Sequence, residues 1–99
     1  MTMEQLQPID RFLMMIENET KTVRENNKDS YFQKFGFLKI LITEYSLNIG
    51  MVNGLNINIS LNDKPLTMDY GFLEFTEEYR LKINGITLYI PKHMIDYYF

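Results

Sequence analysis

The fold is decided by the stretch Tyr79-Arg-Leu-Lys-Ile-Asn-Gly-Ile-Thr-Leu-Tyr-Ile90. Apolar and polar residues alternate on both sides of Asn84-Gly85, and Asn-Gly favours the two positive φ angles of a type I′ turn. A two-residue turn there brings the apolar positions onto one face, in the pairs Tyr79–Ile90, Leu81–Leu88 and Ile83–Ile86. The stretch therefore predicts a β-hairpin, which Pro91 ends because proline has no N–H to donate.

Upstream of the hairpin, apolar residues again alternate with polar ones. The clearest case is Leu55-Asn-Ile-Asn-Ile-Ser-Leu61, which is typical of a strand with one buried face. Asn53-Gly54 predicts a second type I′ turn, which joins this strand to Leu47–Val52. The same period is present over 38–42 and, in shorter runs, over 72–76 and 95–99. We expect five or six of these segments to form one antiparallel sheet.

The N-terminal segment has the period of a helix. Ile9, Phe12, Leu13 and Ile16 are spaced to form one apolar stripe, and Pro8 suits the first turn. The polar residues 18–27 either continue the helix or form a loop. Between them and the first strand, the aromatic residues of segment 31–37 predict a short helical turn.

These elements predict one α+β domain over residues 1–99. Its helical segment spans 1–30, and its antiparallel sheet spans 37–99, either open or closed into a small bent barrel. The chain has 99 residues, of which 45% are hydrophobic, which is enough apolar material for a core. No cysteine is present, so disulfides and thiolate metal sites are excluded.

Composition also bears on location and source. No apolar run is long enough to span a membrane, and the N-terminal residues lack the basic and apolar regions of a signal peptide. We therefore expect a cytoplasmic protein without a membrane partner. The frequent Ile, Asn, Lys, Tyr and Phe residues are typical of a low-GC bacterium or a mobile element within one.

No residue pattern indicates catalysis. His93 is the single histidine and has no serine or cysteine partner at a recognisable spacing. Glu74, Glu77 and Glu78 form an acidic cluster that is more typical of a solvated turn than of an acid–base or cation site. The sequence thus predicts a protein that is not an enzyme, with no catalytic residue, no metal site and no cofactor.

Two groups of residues are candidates for binding. Arg80 and Lys82 share the outward face of the hairpin, and with Lys92 and His93 they form a predicted ligand-binding set. The second group is the C-terminal Tyr97-Tyr98-Phe99, which cannot all point inward from a strand. These aromatic residues either contact a partner or pack on the N-terminal helix. Because a sheet exposes its edge strands, we also expect a homo-oligomer.

The segment Gly85-Ile-Thr-Leu-Tyr-Ile-Pro-Lys-His-Met-Ile95 resembles the closing segment of the Hfq branch of Sm-like proteins. In that family, a glycine hairpin leads into an apolar strand, a Lys-His pair and a short final strand. The resemblance implies a five-stranded barrel behind an N-terminal helix, ring assembly through edge strands, and RNA binding near Lys92 and His93. The chain departs from the family at Pro91, where the family has an aromatic residue.

Two main hypotheses of function follow. One is a regulatory protein that binds RNA through Arg80, Lys82, Lys92 and His93. The other is a protein-binding inhibitor or adaptor encoded by a phage or plasmid, which the net charge of −3 and the surplus aromatic residues suit. A metal protein or enzyme is the third reading and would need the glutamates of segment 74–78. RNA and protein thus both stay open as partners.

Overall fold

The computed structural model describes residues 6–26, 29–51, 54, 56–62 and 64–99. It confirms the α+β class, with an N-terminal helix followed by antiparallel strands. In chain order the elements are α1 (Pro8–Glu25), β1 (Ser30–Phe35), β2 (Leu38–Thr43), β3 (Ser46–Met51), β4 (Asn56–Ser60), β5 (Met68–Leu73), β6 (Glu78–Ile83), β7 (Ile86–Pro91) and α2 (Lys92–Tyr98).

Helix α1 forms where the apolar stripe predicts it and extends beyond the stripe. The Gln7 backbone N–H donates to the Asp10 carboxylate at 3.1 Å, which satisfies one of the free donors at the helix start. The polar half stays helical to Glu25 because Thr20 and Val23 continue the buried side. Of the two readings of segment 18–27, the helix is therefore correct for most of it.

Strands β1 to β4 form an antiparallel sheet in that order, here called sheet A. The helical turn predicted over 31–37 is wrong, because Ser30–Phe35 pairs with β2 as a strand and Gly36-Phe37 makes the turn. Gly36 has a φ of +62°, which favours glycine. Of the second predicted type I′ turn, Asn53 lies outside the described residues.

Strands β5 to β7 form a second antiparallel sheet, here called sheet B. The hairpin register is confirmed, with Tyr79 opposite Ile90 and Leu81 opposite Leu88. The strand ends at Pro91, as predicted. The strand expected over 72–76 is instead Met68–Leu73, because the ladder with β6 spans these residues.

The strand predicted over 95–99 is wrong, because α2 occupies Lys92–Tyr98. Met94 and Ile95 are both buried. Adjacent residues of a strand would point to opposite faces, whereas this helix turns both toward the core. The Lys92 ammonium also pairs with the Asp96 carboxylate one turn along.

Both sheets, α1 and α2 contribute to one hydrophobic core. The seven strands lie in two sheets rather than in one sheet of five or six, because the chain leaves sheet A after Ser60 and enters sheet B at Met68. Among the described residues no ladder joins the two sheets, so no closed barrel forms. Four apolar side chains of α1 belong to this core: Ile9, Phe12, Ile16 and Val23.

We expect Phe12→Ala to lower the free energy of unfolding by about 3–5 kcal/mol, because it removes a fully buried ring from the core. The Phe12 ring meets Phe99 edge to face at a centroid distance of 5.1 Å. Urea denaturation measures the loss. The matched control is Phe37→Ala, which removes an exposed ring and should change stability by no more than about 0.5 kcal/mol. Equal losses for the two variants would contradict this core.

Candidate functional site

Arg80 and Lys82 lie on the outward face of sheet B, as the alternation predicts. Both side chains are exposed. Across the ladder, Arg80 lies between Gly71 on β5 and Tyr89 on β7. A Cβ atom at Gly71 would approach the Arg80 guanidinium Nη2 at 3.2 Å, so the arginine side chain lies over the glycine.

Lys92 and His93 lie in the first turn of α2. Glu77 and Asp96 line the same cavity, of about 170 Å³. The hydrogen bond from the Lys92 ammonium to the Asp96 carboxylate raises the pKa of Lys92 above its ordinary value. Because two carboxylates share this cavity with one lysine, its electrostatics do not favour a phosphate.

A carboxylate also lies between the two halves of the predicted ligand-binding set, Arg80 and Lys82 on β6 and Lys92 and His93 on α2. Glu78 lies opposite Pro91 in the ladder and precedes Arg80 by two positions on the same face. The sheet B surface that carries Arg80 and Lys82 therefore meets α2 at an acidic boundary.

The three C-terminal aromatic residues have different environments. Phe99 packs against Phe12 and Phe35, and its carbonyl oxygen accepts a 2.6 Å hydrogen bond from the Arg11 guanidinium. Of the two alternatives for the C-terminal aromatic residues, packing on the N-terminal helix is therefore correct for Phe99. Tyr97 instead has 80% of its surface exposed, and Tyr98 covers the β1–β2 turn.

The outward face of sheet A is a polar surface that is larger than the two predicted binding groups. The sequence analysis did not identify it. The registers align its residues in three rows across the four strands. We call this surface the sheet A face; it consists of Phe32, Leu41, Asn48 and Asn58, then Lys34, Lys39, Gly50 and Asn56, then Ser30, Thr43, Ser46 and Ser60.

The centre of the sheet A face is a shallow cavity of about 300 Å³. Phe32 stands at its side with 56% of its surface exposed, beside the partly buried Leu41. Gly50 lies between Lys39 and Asn56 in its row, so the lack of a side chain there leaves room between an ammonium and an amide.

Charge distinguishes the sheet A face from the rest of the protein. Lys34 and Lys39 are its two charged residues, and none of its twelve residues is acidic. The whole chain carries a net charge of −3. The face thus combines an exposed aromatic ring, two ammonium groups, three amides and four hydroxyl groups.

The sequence contained part of this pattern. The outward polar residues of β4 were visible in the alternation of segment 55–61. Phe32 and Lys34 were not recognised because their segment was predicted to be a helical turn. With a two-residue turn at Gly36-Phe37, alternation on both sides of that turn places Phe32, Lys34 and Lys39 on one face.

Comparisons with known proteins give no relative: no family model, no curated protein and no solved structure matches the chain. Within the described ranges, no group of three or more His, Asp or Glu side chains could hold a metal ion. No helix in the described part of the chain is long and apolar enough to cross a membrane.

The contact of the Tyr98 side chain with Gly36 in the β1–β2 turn can be tested by mutation. Gly36→Ala should lower the free energy of unfolding by more than about 2 kcal/mol, since it adds backbone strain at a positive φ and a collision with the Tyr98 hydroxyl. In a Tyr98→Ala background, which removes the whole ring, the same change should cost only the strain, about 1–2 kcal/mol. A double-mutant cycle in urea measures the difference, and equal costs in both backgrounds would show that Tyr98 does not cover Gly36.

Proposed function

We propose that this chain is a non-enzymatic binding protein and that its sheet A face binds single-stranded nucleic acid. The observation that carries the proposal is an exposed phenylalanine beside two lysines on a face without a carboxylate. Proteins that bind single strands combine aromatic rings, on which bases stack, with cations that contact the backbone. The proposal does not depend on the resemblance to Sm-like proteins or on a closed barrel.

Each group on the face has a chemical role in this proposal. The Phe32 ring stacks on a base, an interaction worth about 1–3 kcal/mol per base. Lys34 and Lys39, which lie opposite each other in the neighbouring row, contact phosphates next to that base. The amides of Asn48 and Asn56 each offer a donor and an acceptor, which suits the edges of unpaired bases.

The shape of the face favours a single strand over a duplex. Four strands at a spacing of about 4.8 Å give a width of roughly 14 Å between the outer strands. A flat sheet face presents no helix or ribbon that could enter a major groove. Stacking on Phe32 also requires an unpaired base, because bases within a duplex are covered on both sides.

The other basic set, with Arg80, Lys82, Lys92 and His93, is the competing location for the same ligand. We expect this basic set to bind a phosphate more weakly than the sheet A face does, since the carboxylates of Asp96 and Glu77 near Lys92 would repel it. Its role stays a prediction, and a Lys92→Ala/His93→Ala variant separates the two locations in every experiment below.

We expect Phe32→Ala to weaken binding about tenfold or more, because each stacked base contributes about 1–3 kcal/mol. Fluorescence anisotropy at about 50 mM salt with labelled oligouridylate and oligothymidylate of equal length measures the affinity, and the pair tells RNA from DNA. The matched control is Phe37→Ala, which removes an exposed ring from the adjacent turn. No binding by the wild type at this salt, or equal losses for both variants, would contradict the proposal.

The lysines predict a salt dependence. Two phosphate contacts to a single strand give a slope of about −1.4 for log K against log salt concentration. Lys34→Ala and Lys39→Ala should each reduce the magnitude of that slope by about 0.7. Lys21→Ala, which removes an exposed lysine from α1, should leave the slope unchanged. If only the Lys92→Ala/His93→Ala variant reduces the slope, the ligand lies on the other basic set.

A further inference from the structure

The turn between β5 and β6 carries the most exposed aromatic ring of the described chain. We call residues Glu74-Phe75-Thr76-Glu77 the acidic tip; all four are exposed, and Phe75 is fully so. The Glu77 carbonyl accepts a 3.0 Å hydrogen bond from the Lys92 backbone N–H, which ties the tip to α2. The tip therefore presents an apolar ring on an anchored turn, which lowers the entropy that a contact would cost.

Carboxylates surround that ring. Glu74 and Glu77 flank Phe75 in the tip, and a third glutamate begins β6. Lys92 shares a cavity with Glu77, but its ammonium pairs with the Asp96 carboxylate. The tip is thus an apolar group within an acidic surface, and it is complementary to an apolar cavity with cations at its border.

The cavity of the sheet A face has these properties. Its volume of about 300 Å³ is large enough for one phenyl ring, and Phe32, Leu41 and Met51 supply its apolar side chains. Lys39 also lines it, and Lys34 lies opposite Lys39 in the ladder. No carboxylate among the described residues lines it. The cavity therefore matches the acidic tip in both polarity and charge.

We propose that the acidic tip of one molecule docks in the sheet A cavity of a second copy. The Phe75 ring enters beside Phe32, where a contact between two rings is favourable, and the tip carboxylates meet the two lysines of the face. The tip does not fill the cavity of its own chain, since Phe75 is fully exposed. Each molecule has one tip and one cavity, so the contact is head-to-tail.

This contact covers the surface that we assign to nucleic acid and thereby regulates it. That consequence rests on the proposed function, whereas the self-association itself does not. A base stacked on Phe32 and the Phe75 ring of a second copy need the same cavity. Self-association and the binding of a single strand therefore exclude each other.

Charge also selects this cavity over the other apolar one. The groove between α1 and β5 has apolar walls, but Asp10 and Glu17 line it and would repel the acidic tip. A contact made by one ring and two ion pairs is small, and interfaces that bury less than about 1,200 Å² are typically transient. We therefore expect weak, reversible association rather than a permanent oligomer.

Sedimentation equilibrium of the full-length chain, from about 10 μM to about 1 mM at low salt, measures the association. The mean mass should rise with concentration. Phe75→Ser should weaken the association at least about tenfold, whereas Tyr97→Ser, which removes another exposed ring, should not. A wild type that stays monomeric over the whole range, or equal losses for the two variants, would overturn the proposal.

A mixture of two variants tests the head-to-tail arrangement. Phe75→Ser lacks the ring but keeps the cavity, and Lys34→Glu/Lys39→Glu keeps the ring but makes the cavity repulsive. Each alone should associate at least about tenfold more weakly than the wild type. Their mixture should associate, because an intact tip then meets an intact cavity. A mixture that associates no better than either variant alone contradicts the proposal, with thermal melting as the check that both fold.

A short oligouridylate separates this inference from the proposed function. At saturation it should return the wild type to one protein molecule per complex. If the oligouridylate binds and the association persists, the tip docks elsewhere and the proposal is overturned. If the oligouridylate does not bind, the proposed function fails, and the mixture of variants still decides whether the tip docks in the cavity.

Discussion

The structure depends on the packing of one side of α1 against both sheets. Among the described residues no backbone ladder connects sheet A to sheet B, so side-chain packing must hold them together. Ile9, Phe12 and Ile16 supply most of the contact from the first half of the helix. Val23 continues it in the second half, where the Arg24 guanidinium also donates to the Lys64 carbonyl at 3.0 Å. The helix thereby determines which sheet surfaces stay accessible.

The surface that we propose to bind nucleic acid follows from that constraint. One side of sheet A packs in the core, so its other side displays Phe32 and the two lysines to solvent. In sheet B, Leu81 and Ile83 of β6 are buried, whereas a groove stays open between α1 and Met68 of β5.

The sequence predicted the elements in which local and long-range preferences agree. In the hairpin of segment 79–90, turn chemistry and period give the same register. The predictions failed where a short segment depends on distant contacts: segment 30–35 is a strand because β2 pairs with it, and α2 is a helix because Met94 and Ile95 both meet the core. The prediction of the ligand-binding residues has the same weakness. The sequence shows Lys92 as a cation but does not show that it pairs with Asp96, because that pairing depends on the helix α2.

We propose that nucleic acid binds the sheet A face rather than the basic residues of sheet B and α2. The most direct measurement is backbone amide chemical-shift mapping of the labelled protein during titration with oligouridylate. We expect the shifts to concentrate on β1 to β4, with Phe32, Lys39 and Asn48 among the largest. Shifts confined to β6 and α2, around Arg80 and His93, would contradict it.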